Sequence, residues 1–299
     1  MKKSYFIQGV VFLVLAQILV GVNIVASKLL LTSIPVMVLL EIRFLFATLL
    51  LFSFHCMTTA SRQKSTKTYF SELQYRDWGF ILAQALSAGV LFNVLMLGGL
   101  NYTDANIAGI ITSALPAIIA ILSWIILHEK ISAEKALCVF FATLGLVIIA
   151  YDKLHGMSPS HSFFGDSLIL LALIPEASYY VLCKRYSNRL PLFFISALLN
   201  GINALSLLPV LFLAHWDPVS INLTNWLLLF AISLSSGLFY VFWFIGARHV
   251  DGIMASLSTA IMPIATVILA WIVLSEGLTS VQLVGMGLVL FSIILYARK

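Results

Sequence analysis

Residues 99–129 read GLNYTDANIAGIITSALPAIIAILSWIILHE, and residues 246–276 read GARHVDGIMASLSTAIMPIATVILAWIVLSE. The two stretches align without a gap at a constant offset of 147, and 11 of the 31 positions are identical. A shared apolar composition supplies the Ile and Leu matches. It does not by itself put Asp104/Asp251, Pro116/Pro263, Trp124/Trp271 and Glu129/Glu276 into one register. Each stretch carries about 20 apolar residues between its Asp and its Glu, the length that spans a bilayer as a helix. The chain therefore repeats a membrane-spanning unit.

Outward from these stretches the same signal recurs. Apolar runs cover about 6–30, 34–55, 77–100, 104–127, 133–151, 165–186, 190–214, 222–247, 251–274 and 279–297. Ten spans joined by short connections leave no room for a soluble domain. Composition agrees: 61% of the 299 residues are hydrophobic and 10% are charged, where a soluble domain carries roughly 25% charged residues. A soluble enzyme is excluded. A closed barrel alternates apolar and polar residues along short strands, so continuous runs imply a helix bundle. The first run reaches Lys28 without a small-residue cleavage motif, so it is expected to be a retained helix rather than a signal peptide.

The basic residues segregate. With the N-terminus in the cytoplasm, fourteen Lys and Arg fall on the inner side and two, Lys28 and Lys153, on the outer; Arg43 lies inside a span. This bias predicts a multi-pass protein of the cell membrane with both termini cytoplasmic. The net charge of +5 is an orientation signal beside an anionic leaflet and calls for no nucleic acid. Cys56, Cys138 and Cys183 have no metal-ligand spacing and read as inert apolar fillers.

The repeat divides the chain at about 1–152 and 160–299. Gly9/Gly165 and Lys28/Lys184 relate the first spans of the two halves. Five spans per half is odd, so the second half enters the membrane from the opposite side. Inverted repeats of this kind are common in secondary transporters, with solute held near the midplane between them.

These patterns resemble the drug/metabolite transporter superfamily in its EamA-type, ten-helix form. The matching stretches are Gly21-Val-Asn23 through Lys28, Pro35 through Arg43, Tyr102 through Pro116 to Glu129, and Asp251 through Pro263 to Glu276. His128 and Ser275 stand where the family frequently has Gly, and Val20 where it often has Trp. The resemblance implies ten helices around a central cavity, moving small organic solutes such as amino acids, other metabolites, nucleotide sugars or drugs.

Several residues are candidates for chemistry. Glu176 lies near the middle of span 6. A carboxylate there costs roughly 2.5–3.5 kcal/mol on insertion scales, which favours a cavity or a partner over lipid. It is a candidate for substrate or proton coupling; the competing reading is a structural ion pair. Pro175 beside it frees a carbonyl and can kink the helix. Arg43 lies at a matching depth in span 2, so an Arg43–Glu176 pair is feasible, while a lock between neighbouring helices competes. Glu41 could reach Lys28, or face the cavity; Lys28 could instead steer anions at the outer mouth. Asn23, with Gln17, Gln84, Asn93, Asn200, Asn203 and Tyr240, reads as interhelical glue or as a ligand contact. Tyr179 and Tyr180 could form an aromatic wall beside Glu176 for cationic or zwitterionic solutes. Pro116 and Pro263 sit at equivalent places in spans 4 and 9 as hinge or gating candidates. Asp104 and Asp251 read as helix N-caps. Glu129 and Glu276, which end spans 4 and 9, read as structural or gating contacts with loop charges.

The sequence contains no P-loop, Gly-rich phosphate cradle or HExxH, so no cofactor, metal or ATP engine is expected. The reading is a secondary transporter of small organic solutes, with protons as a candidate coupling ion and the lipid bilayer as its surroundings. An uncoupled uniporter or exchanger is the alternative within transport. A membrane-embedded enzyme or a scaffold is the alternative from another class. Substrate identity, direction and oligomeric state stay open.

Overall fold

The structure is a computed structural model. It describes residues 2–58, 64–112, 114–128, 162–185, 190–213, 222–250, 252–277 and 279–297, with isolated residues between 133 and 148. Span 5, at about 133–151, falls mostly outside the described residues, as do Glu129, Cys138, Lys153, His155, His161 and Asp251.

Every regular element described is helical. The helices are α1 (Lys2–Leu30), α2 (Val36–Met57), α3 (Thr66–Ser71), α4 (Tyr75–Ala85), α5 (Phe92–Leu100), α6 (Ala105–Thr112), α7 (Leu115–Leu127), α8 (Phe163–Arg185), α9 (Leu192–Leu213), α10 (Leu223–Ala247), α11 (Gly252–Ser258), α12 (Ile261–Leu274) and α13 (Ser280–Ala297). A π-turn, Leu86–Leu91, joins α4 to α5, so span 3 runs on without interruption. Among the described residues, six helical stretches are long and apolar enough to cross a membrane, and α12 and most of α7 are shorter apolar helices.

The stretches expected as spans 4 and 9 are each built of two helices, α6 with α7 and α11 with α12. Pro116 is the second residue of α7 and Pro263 the third of α12. Proline is tolerated in a first turn because its missing N–H has no intrahelical acceptor there. The breaks lie just upstream, where Ala114 N donates to Ile111 O at 3.1 Å and Ala260 N to Leu257 O at 3.1 Å. Pro175, by contrast, lies inside α8 and does not interrupt it. Both α7 and α12 end on a left-handed residue, His128 at φ 54° and Ser275 at φ 55°. That conformation favours glycine at the end of a helix, which matches the family habit at these two positions.

The core is largely apolar, polar side chains of the spans are turned into it, and the exterior is apolar too. Along α1, Leu13, Ala16, Gln17, Val20, Ile24 and Ser27 are buried. These recur at the three- and four-residue spacing of one helical face. Val11, Leu15 and Ile18 on the other face are exposed. Gln84, Asn200 and Asn203 are likewise buried, while Leu49, Leu91, Trp124, Leu205 and Ile272 are exposed. An apolar exterior suits lipid, and polar side chains in membrane spans turn toward the bundle interior.

The core forms between the two parts of the chain. α1 packs chiefly on α10 and α12, α2 on α9 and α10, and α8 on α5 and α7. Two crossings bring backbones together at glycine. A Cβ on Gly99 would lie 2.7 Å from Gly165 O, and one on Gly246 would lie 2.9 Å from Gly9 O. Small residues at such crossings allow the close approach that packing in lipid depends on.

Candidate functional site

Five helices, α1, α2, α5, α8 and α10, together with the π-turn, enclose a cavity with about 480 Å³ of empty space, its open mouth included. Its polar wall is Arg43 from α2, Glu176 from α8, Asn23 from α1, Asn93 from α5 and Ser236 from α10. Phe92, Met96, Leu97, Phe239 and Tyr240 supply much of the apolar and aromatic remainder.

Arg43 and Glu176 are each 2% exposed. Arg43 Nη2 donates to Asn93 Oδ1 at 2.5 Å, and its Nε is buried without a partner. The Asn93 amide in turn donates from Nδ2 to the carbonyls of Ala88 at 2.9 Å and Gly89 at 2.7 Å, both in the π-turn. π-turns inside helices often mark functional sites. Glu176 Oε1 accepts from the Tyr180 hydroxyl at 2.9 Å, and that hydroxyl accepts from Gln17 Nε2 at 3.2 Å. Glu176 Oε2 is buried without a partner. Asn23 Nδ2 donates to Leu19 O and to Ser235 Oγ, leaving its Oδ1 unpaired.

Three cavity-lining residues thus keep an unsatisfied polar atom: a guanidinium donor, a carboxyl oxygen and an amide oxygen. Leaving such an atom buried and unpaired costs roughly 1–3 kcal/mol. No ion pair joins Arg43 to Glu176; the ion pair within 4.0 Å among the described residues is Lys64–Glu72, outside the cavity. A donor and an acceptor of opposite charge, held apart over an apolar wall, can receive a small solute carrying both charges.

Comparison with known proteins places this architecture. The model of the EamA-like transporter family matches residues 7–151 and again 163–298. The chain belongs to the EamA-like transporter family. Among family relatives it is 29% identical over 298 residues to the uncharacterized transporter YetK of Bacillus subtilis, covering 97% of this chain and 86% of that protein. It is 24% identical over 223 residues to the protein PecM of Dickeya dadantii, covering 73% of each chain. One protein solved by crystallography superposes with a TM-score of 0.72 over 99% of this chain and 97% of its own, at 14% identity. That likeness shows a shared fold.

Within this family frame, Glu176, Arg43 and Asn23 come together in the cavity; in place of the feasible pair with Glu176, Arg43 bonds Asn93, linking α2 to α5 as the helix-lock reading has it. Lys28 does not reach Glu41. Its Nζ donates to Leu100 O at 2.5 Å and Thr103 O at 2.8 Å, at the C-terminal end of α5. Cations are favoured there because the last carbonyls of a helix have no intrahelical donor. Glu41 is fully buried, both its oxygens lack a partner, and it does not line the cavity. Tyr179 and Tyr180 lie behind the cavity rather than along it. Tyr180 holds Glu176, and Tyr179 packs against Tyr180, Phe239 and Tyr240 at ring separations of 5.4–6.3 Å. The aromatic wall belongs instead to α10, through Phe239 and Tyr240. Pro116, Pro263 and Pro175 stand outside the lining. Glu276 Oε1 accepts from Ala105 N at 3.1 Å, so this carboxylate caps the start of α6. Asn93, read as glue or as a ligand contact, bonds Arg43 across two helices and lines the cavity.

Proposed function

We propose that this membrane transporter is a secondary carrier of small zwitterionic organic solutes, amino acids or related metabolites, working by alternating access. The observation that carries the reading is the cavity itself, with unpaired atoms on Arg43 and Glu176. An amino or related cationic group is the complement of Glu176, and a carboxylate that of Arg43. The apolar wall would take the solute's hydrocarbon part.

The halves at about 1–152 and 160–299 are read as inverted repeats. Two matches of one family model support this. So do the equivalent glycine crossings, in which Gly9 corresponds to Gly165 and Gly246 to Gly99, and the left-handed residues 147 apart. Rocking of one half on the other would then expose the cavity alternately. The broken helices ahead of Pro116 and Pro263 are the flexing points in this scheme. Both termini are assigned to the cytoplasm by the basic-residue bias. On that assignment the lining residues lie around the midplane, as a site shared by two halves requires.

Glu176 is the candidate proton carrier, since its free oxygen can take up a proton where solute is absent. The test is uptake into proteoliposomes from a pooled metabolite mixture, read by mass spectrometry, under a pH gradient of either sign. Selective uptake of zwitterions that follows the gradient, and loses that dependence in Glu176→Gln, is the expected result. Uptake indifferent to the gradient in the wild type would make the protein an uncoupled uniporter or exchanger. A folded protein that takes up nothing from the pool would count against the carrier reading and toward a scaffold.

A further inference from the structure

We propose that Asn93 is a specificity-determining positioning residue: it fixes the Arg43 guanidinium as the receptor for a single carboxylate on the solute. The inference rests on the solute-binding reading of the cavity and adds which residue sets the preference for a carboxylate.

The argument starts from the two ends of an amide. Asn93 Nδ2 has two hydrogens, and the structure gives it two acceptors, the carbonyls of Ala88 and Gly89. The flipped amide would set its oxygen against those two carbonyls and its NH2 against a guanidinium. Its orientation is therefore fixed, and its oxygen is left for Arg43 Nη2. The platform beneath is fixed as well. Gly89 has no Cβ, and any added there would overlap the buried side chain of Asn203 on α9. The π-turn is thereby held against the opposite part of the chain.

A guanidinium is a rigid planar fork with five N–H donors. Pinning one nitrogen orients the rest. Arg43 keeps an unpaired, buried Nε while lining the cavity. A carboxylate matches the spacing of two neighbouring guanidinium N–H groups and is bound through both. Glu176 on the same wall disfavours a doubly charged anion such as a phosphate monoester. A monoanionic carboxylate is the complement, and neutral Asn93 leaves the positive charge of Arg43 uncancelled for it. An acidic residue at this position would pair with Arg43 and remove the receptor.

The test uses three probes of one shape: L-leucine, its deaminated analogue 4-methylpentanoate, and its decarboxylated analogue 3-methylbutylamine. Dissociation constants are measured on the purified full chain in detergent for wild type, Asn93→Asp and Asn93→Leu. In Asn93→Asp, leucine and 4-methylpentanoate should weaken about tenfold or more, because a charge-assisted pair is lost. The amine should stay within about threefold of wild type. Asn93→Leu, which releases the guanidinium, should move the probes in the same direction. A purely structural role would weaken all three probes alike; that result, or no change in either variant, overturns the inference while leaving the cavity reading standing. Wild-type protein that binds none of the three overturns both. If the variants do not fold, a structure of the wild type with leucine decides. The carboxylate should lie within hydrogen-bond distance of Arg43 with the Asn93–Arg43 bond retained; a carboxylate bound elsewhere refutes the assignment.

Discussion

Glu176 Oε1 accepts the hydroxyl hydrogen of Tyr180 at 2.9 Å, one turn along the same helix, while Glu176 Oε2 is buried with no partner. Removing the hydroxyl leaves the carboxyl with two unpaired oxygens. Tyr180→Phe is therefore expected to lower stability by roughly 1–3 kcal/mol. Glu176→Gln keeps an acceptor for Tyr180 and should cost less than about 1 kcal/mol. Thermal unfolding of both variants in detergent checks the order. Equal losses would mean that the bond does not hold the carboxyl.

The glycine crossings give predictions of opposite sign within one residue type. Gly99→Ala places a Cβ 2.7 Å from Gly165 O, against backbone that cannot swing away. Overpacking of this kind costs typically about 1–3 kcal/mol. Gly79 lies in α4 with nothing within 4 Å of an added Cβ. Gly79→Ala should stabilise by roughly 0.5–1 kcal/mol through helix propensity. Melting temperatures of the two single variants, compared with wild type, test both at once.

Ser275 ends α12 at φ 55°, ψ 27°. A side chain there costs roughly 1–2 kcal/mol that glycine avoids. The greater freedom of glycine in the unfolded chain returns about 0.5–1 kcal/mol of that. Ser275→Gly should therefore raise stability modestly, and Ser275→Val should lower it, because a β-branched residue tolerates this region worst. A thermal shift in the reverse order would contradict the left-handed cap.

Lys28 Nζ donates to Leu100 O and Thr103 O, tying α1 to the end of span 3. Lys28→Met keeps the apolar stem and removes the charged donor. Hydrogen bonds to charged groups contribute about 1.5–3 kcal/mol each, so the variant should melt lower by a loss of that order. A Glu41→Gln change should not reproduce the loss, since Glu41 makes no contact with Lys28. Similar penalties for both would restore a link between them.

Much of this protein was legible along the chain. Composition and run length established a helical membrane protein, because lipid imposes one dominant rule on every spanning segment. The register of Asp104, Pro116 and Trp124 on Asp251, Pro263 and Trp271 carried a family resemblance, and that family is the one the chain belongs to. Burial of Arg43 and Glu176 also followed from their depth alone. Their partners did not. Depth along a helix says nothing about its rotation or about which neighbour lies across from it. Equal depth suggested Arg43 with Glu176 and Lys28 with Glu41. Tertiary packing gave Arg43 to Asn93, Glu176 to Tyr180, and Lys28 to the carbonyls of Leu100 and Thr103. The close approach of Gly89 to Asn203 arises only where the π-turn meets α9. Hydropathy and spacing are properties of one segment at a time, whereas the cavity is made where five helices and the π-turn converge. The sequence by itself determined what kind of solvent surrounds this chain; the fold decided which polar groups were left free inside it.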